Sequence, residues 1–137
     1  MTAPTLTKVE VRKRSRVLHL EYNNGEYYDL SFEFLRVWSP SAEVKGHGVG
    51  QETLQLGKED VQITDLEPVG NYAVLLIFDD GHDSGIFSWS YLYELANNRE
   101  TYWNDYLNRL KAAGKTRKTA SPSLSVVQTF DPNNPTG

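Results

Sequence analysis

The sequence predicts an α+β domain. The expected arrangement is compact and β-rich, built from antiparallel hairpins or a meander, with a short helix after the first strands and C-terminal helices packed on the sheet. Three observations predict it. Apolar and polar residues alternate through LTKVEVRK at 6–13 and RVLHLEY at 16–22, the pattern of strands with one face buried. Three glycine-bearing pairs, Asn24-Gly25, Gly70-Asn71 and Asp80-Gly81, punctuate β-rich segments as two-residue hairpin turns do. Past Ser88 the period lengthens, and Trp103, Tyr106, Leu107 and Leu110 take the i, i+3, i+4, i+7 spacing of a helix face.

The elements follow in order. The two opening strands meet near Arg14 and Ser15. Asn24-Gly25 suits a type I′ turn, whose two central residues both take positive φ, and EYYDL returns as a third strand. Ser31 is placed to cap a short helix, FEFLRVW, with Phe34, Leu35 and Trp38 on a shared face. Residues 39–57, SPSAEVKGHGVGQETLQLG, make a long polar connection rich in glycine, and long ordered loops in small domains commonly carry function. YAVLLIF at 72–78 is apolar on both faces, which predicts a strand covered on each side, with the C-terminal helices as the cover. Ser88 caps WSYLYELA, and Asn97 with Glu100 resembles a capping box for a second helix that ends before Gly114. The domain is therefore set at 1–113. Residues 114–137 are polar, proline-bearing and aperiodic, and are expected to form a disordered tail with a brief extended patch at SLSVVQTF.

At 137 residues the chain fits one hydrophobic core. It has no cysteine, which excludes disulfides and thiolate metal sites. No apolar run is long enough to span a bilayer, and the N-terminus lacks the apolar stretch of a secretory signal. The expectation is a cytoplasmic protein without a membrane partner. The net charge of −4 conceals an asymmetry: from Glu21 to Asp105 there are sixteen acids against four bases, Arg36, Lys45, Lys58 and Arg99. Such a middle section is a poor partner for nucleic acid phosphates. The other ten bases sit in the two flanks. They either meet an acidic partner or a phosphate backbone, or act as solvated ends.

Simple enzyme signatures are missing. There is no G-x-S-x-G, P-loop or H-E-x-x-H pattern, and GHGVG lacks the strand-to-helix setting of a dinucleotide fingerprint. A serine triad would need a base near Ser39, Ser41, Ser84 or Ser88, which spacing alone does not place. His19 lies in an alternating strand between Leu18 and Leu20 and reads as an exposed strand residue. His47, in KGHGVG, reads as a loop residue whose imidazole the neighbouring glycines expose. His82 follows a turn and is surrounded by Asp79, Asp80 and Asp83, while Gly85 leaves room for a close approach by backbone or ligand. One histidine among aspartates suits turn chemistry better than metal binding. The aromatic series Trp38, Phe87, Trp89, Tyr91, Tyr93, Tyr102, Trp103 and Tyr106 reads as core faces rather than a ligand cage.

Three stretches carry a resemblance: FLRVWSPSAEVKGHG, VGNYAVLLIFDDGHDSGIFSWSYLYEL and the helix bearing Trp103. Together they resemble the gamma-butyrobetaine hydroxylase-like N-terminal domain family, and most closely its small stand-alone bacterial members of unknown function. The resemblance runs from Leu6 to Leu110. It implies a β-rich module that in larger relatives precedes the catalytic domain of 2-oxoglutarate-dependent hydroxylases, or is appended to iron–sulfur carrier ATPases. In the hydroxylases the module holds zinc through three cysteines and a histidine. Those positions correspond here to Ser39, Ser41, Val44 and His82, so His82 is the only retained ligand position. Two hydroxyls and a valine do not replace thiolates on zinc, so no metal and no cofactor is expected. The resemblance also places the 39–47 loop beside the 79–84 turn.

The candidate binding residues are therefore Ser39, Ser41, Glu43, His47, His82 and Asp83, with no catalytic residues assigned. The expected function is a non-catalytic binding or adaptor module with a protein partner, linked to iron–sulfur or oxygenase-related metabolism. The alternative is a small-ligand or metal-ion-binding accessory protein that uses the His47/His82 neighbourhood.

Overall fold

A computed structural model describes residues 3–40 and 54–118. Two three-stranded antiparallel sheets form, each with its strands in sequence order. The first holds β1 (Leu6–Arg12), β2 (Val17–Tyr22) and β3 (Tyr27–Ser31), and leads directly into α1 (Phe32–Val37). The second holds β4 (Ile63–Val69), β5 (Ala73–Phe78) and β6 (Gly85–Ser88), followed by α2 (Trp89–Asn97) and α3 (Arg99–Ala112). The architecture is α+β and β-rich, as the alternation predicts. No helix among the described residues is long and apolar enough to cross a membrane.

Strand parity sorts the side chains. In the first sheet Val9 faces Leu20 and Val11 faces Leu18, while Glu10 faces His19 on the other side. Leu18, Leu20 and Leu30 join Ile63, Val74, Leu76, Phe78 and Phe87 of the second sheet in one buried cluster. Phe32, Phe34 and Leu35 of α1 and Leu92, Leu95 and Ala96 of α2 complete it. Burying an aliphatic or aromatic side chain contributes about 1.5–3 kcal/mol, so this shared cluster binds both sheets and two helices into one body. Tyr106 and Leu110 of α3 make a second cluster with Val37, and Trp103 packs against both. The aromatic series is thus built into the two cores, as expected.

Ser31 and Ser88 cap α1 and α2 as read, accepting the amides of Phe34 and Tyr91 at 3.1 Å each. Five other details differ from the sequence expectation. Asn24-Gly25 is not a type I′ turn: Gly25 alone has positive φ, and the Gly25 amide bonds Tyr22 while Tyr22 bonds Glu26. That is a three-residue loop in which glycine takes the left-handed position, and the β5–β6 connection repeats it around Gly81. The capping box does not form. Asn98 serves both helices at φ −123° and ψ 26°, and its amide side chain donates to Glu94 rather than capping α3. Leu107 is among the exposed apolar residues, so the α3 face is narrower than the spacing predicts. The helices share the inner face of β5 with Val74 and Leu76, leaving Leu75 and Ile77 half-buried on the outer one. Finally, the segment expected to be disordered from 114 begins with seated residues. Gly114 and Lys115 close a Schellman motif on Lys111 and Leu110, and Arg117 donates to Glu33 at 2.9 Å.

His19 is the sixth difference. It sits on the outer face, as parity requires, yet only 5% of it is exposed. The Tyr27 ring lies beside it, and its two nitrogens stand 2.7 Å from carboxylate oxygens of Glu21 and Asp29. Neutral imidazole has one donor and one acceptor nitrogen, so only the imidazolium donates to both. The bonds that His19 donates to Glu21 and Asp29 accordingly hold its pKa above the ordinary value, against burial and the Arg12 charge. A folded-state pKa raised above the unfolded value of about 6.5 contributes stability that is complete below that pH. It is lost as pH rises through the folded-state pKa. Urea midpoints should therefore fall across this range in the wild type, and the slope should flatten in His19→Gln. An unchanged slope in the variant contradicts the imidazolium assignment.

Candidate functional site

The end of α1 and the β5–β6 turn meet in a buried polar junction. Trp38 closes α1, and Ser39 follows it ahead of Pro40, which removes an amide and disfavours further helix. Across the junction, the left-handed Gly81 turns the chain so that Phe78 and His82 pair through their backbones at 2.9 Å. This brings Ser39 Oγ to 2.8 Å from His82 Nε2, with the two residues 1% and 3% exposed. The imidazole also lies 5.8 Å from the Phe78 ring. The hydrogen bond offsets part of the desolvation penalty that each buried group would carry alone.

Asp80 ties the same turn to two further segments. One of its oxygens accepts from Arg36 Nε at 2.9 Å and from Lys58 Nζ at 2.6 Å, and the other accepts the His82 amide at 3.2 Å. Burial is the largest single influence and would raise the Asp80 pKa. The Lys58 hydrogen bond, the Arg36 charge and hydrogen bond and the His82 amide together outweigh it, so the carboxyl is held below its ordinary value. Asp79 adds a fourth tie by accepting the Gln62 amide at 3.0 Å.

Of the residues singled out by sequence, Ser39 and His82 come together as the resemblance implies. Asp83 lies exposed on the turn, outside that contact. Ser41, Glu43 and His47 lie outside the described residues. Sequence reasoning missed Arg36, Lys58 and the bridging role of Asp80. One signal was present, because Arg36 and Lys58 are two of only four bases in a strongly acidic section. Gly85 is the place of close approach that the sequence suggests, and what approaches is Ser39: a Cβ at Gly85 would stand 2.5 Å from its Oγ.

The donor set does not fit zinc. The chain has no thiolate, and Ser39 presents a neutral hydroxyl already bonded to the imidazole nitrogen that faces it. Among the described residues no group of three or more His, Cys, Asp or Glu side chains is arranged to hold a metal ion. Elsewhere on the surface an open cleft of about 480 Å³ lies between β3, α1 and α3. Phe34 and Trp103 give it an apolar lining, with Asp29, Arg99, Glu100 and Asn104 around them.

The packing around Gly85 yields a direct test. Gly85→Ala should destabilise the protein by about 1–3 kcal/mol in denaturant unfolding, because the added methyl overlaps the Ser39 hydroxyl. Ser39→Ala removes that oxygen, so the same glycine substitution made in the Ser39→Ala background should cost clearly less. Equal costs in the two backgrounds would contradict the packing.

Comparisons with known proteins bear on the family and fold of the chain. The family model described as gamma-butyrobetaine hydroxylase-like, N-terminal matches residues 9–93. An NMR solution structure is similar at 47% identity and TM-score 0.74, covering 90% of this chain and 98% of that one. A second NMR structure is similar at 44% identity and TM-score 0.72, over 91% of this chain and 99% of its own. A crystal structure of a protein with unknown function from Acidithiobacillus ferrooxidans, of the DUF971 family, is 36% identical with TM-score 0.59. It covers 69% of this chain and 98% of that chain. No curated protein matches. Since the family match takes in both sheets, Ser39 and His82, the chain belongs to the gamma-butyrobetaine hydroxylase-like, N-terminal family.

Proposed function

We propose that the chain is a non-catalytic binding module that presents the 79–84 turn to a cytoplasmic protein partner, in iron–sulfur or oxygenase-related metabolism. The observation that carries this reading is the burial of Ser39 and His82. These residue types suit nucleophilic chemistry, but at 1% and 3% exposure the pair is closed to a substrate. Their contact supports a different role, holding the turn in shape beneath the exposed Asp83 and Ser84. A surface held in its bound shape loses less conformational entropy on association. The resemblance adds support, since larger relatives carry the module beside catalytic domains.

A second reading, a small-ligand-binding accessory protein, is favoured by the cleft lined by Phe34 and Trp103. One experiment separates the two. Immobilised wild-type protein should retain a specific protein from native extract, and Asp83→Lys should lose it while its thermal melt stays unchanged. Retention of the same protein by Asp83→Lys would exclude the turn as the surface. Failure of the wild type to retain any protein would favour the small-ligand reading.

A further inference from the structure

The two basic ends of the sequence meet at one corner of the fold. Arg16 ends the β1–β2 turn in a left-handed conformation, φ 57°. Its carbonyl accepts the Phe32 amide at 3.0 Å, and its guanidinium donates to Asp60 at 3.1 Å. From the other end of the chain, the segment after α3 folds back to the same place. Arg117 Nε donates to Glu33 at 2.9 Å, its guanidinium stands 3.5 Å from Glu59, and its carbonyl accepts the Gly57 amide at 2.6 Å. The guanidinium also covers the Trp103 ring at 5.3 Å. The adjacent residues Phe32 and Glu33, and the adjacent Glu59 and Asp60, therefore each hold one arginine from either end.

The corner's acids are consumed by those two arginines. Four neighbouring cations are not consumed. Lys13 and Arg14 at the hairpin tip, and Lys115 and Lys118 in the returning strap, are exposed and make no ion pair among the described residues. Beyond Lys118 the sequence carries a single charge, Asp131.

We propose that this corner docks a short acidic segment of a partner protein, gripped between the hairpin tip and the strap. Unpaired cations on two arms attract an anionic ligand and steer its approach. The ligand must be short, because Asp79 and Asp83 lie just past Lys58, on the turn that Asp80 ties to it. A nucleic acid, charged along its whole length, would run its phosphates into them. The cations of this surface are not the residues of the neighbouring Asp83 face, and the surface extends the function proposed above.

The test uses a fluorescein-labelled decapeptide of alternating Glu and Ser, followed by fluorescence anisotropy against the full chain. At about 20 mM salt the peptide should bind, and at about 500 mM binding should vanish by screening. Lys13→Glu/Arg14→Glu and Lys115→Glu/Lys118→Glu should each weaken binding, roughly ten-fold or more. Arg117→Ala, which frees the strap, should weaken it too, whereas Lys8→Glu on β1 should leave it unchanged. The wild type and Lys8→Glu keep the test decisive even where a charge-reversed variant folds poorly. Absence of binding at low salt, wild-type affinity in either charge-reversed pair, or tighter binding of a DNA duplex than of the peptide would each overturn the proposal. Failure here with Asp83-dependent capture intact would remove this surface and leave the first reading standing.

Discussion

A buried hydrogen bond between Ser39 Oγ and His82 Nε2 sits where the two halves of this fold meet. The hydrophobic cluster brings the sheets together, but apolar packing is non-directional. The register between the end of α1 and the β5–β6 turn needs a directional contact. The serine–histidine bond is one such contact, made within the protein interior, where hydrogen bonds are electrostatically stronger than in water. Asp80 extends the contact outward by binding Arg36 and Lys58 through one oxygen. Gly85 completes it by leaving out the methyl group that would collide with Ser39.

This junction stands where cysteine-bearing members of the family are expected to hold zinc. Metal coordination and hydrogen bonding solve the same structural problem with different chemistry. A tetrahedral thiolate site binds strongly and is coupled to folding. A hydroxyl–imidazole pair contributes far less, on the order of 1 kcal/mol. The surrounding ion pairs then become part of the solution. Asp80 keeps its charge despite burial because two cations and a backbone amide favour the ionised form.

Much of the architecture was legible from residue order, for definite reasons. Alternation fixes strand faces, and Ser31 and Ser88 announce their caps because their hydroxyls reach the third following amide. The turns were less legible: a glycine signals one left-handed residue, and the dipeptide around it does not set the loop length. The capping box failed because α2 and α3 abut at Asn98, which lacks the extended backbone that a box requires. For His19, parity gives the face but not the enclosure by Tyr27, Glu21 and Asp29. Within the site, Ser39 and His82 were legible only through resemblance. Arg36, Lys58 and Asp80 are too far apart in sequence for spacing to connect them. The Arg117 strap escaped notice because its composition resembles that of a disordered tail, while its arginine finds a buried carboxylate on α1.

A closed junction beneath an exposed turn leaves two residue types common in catalysis in a buried structural contact. That contact requires no thiolate. Ser39 and His82 should act as one energetic unit, which a double-mutant cycle of Ser39→Ala and His82→Ala in chemical denaturation measures. The coupling free energy between the two positions should be about 1 kcal/mol or more. Strict additivity of the two substitutions would contradict it.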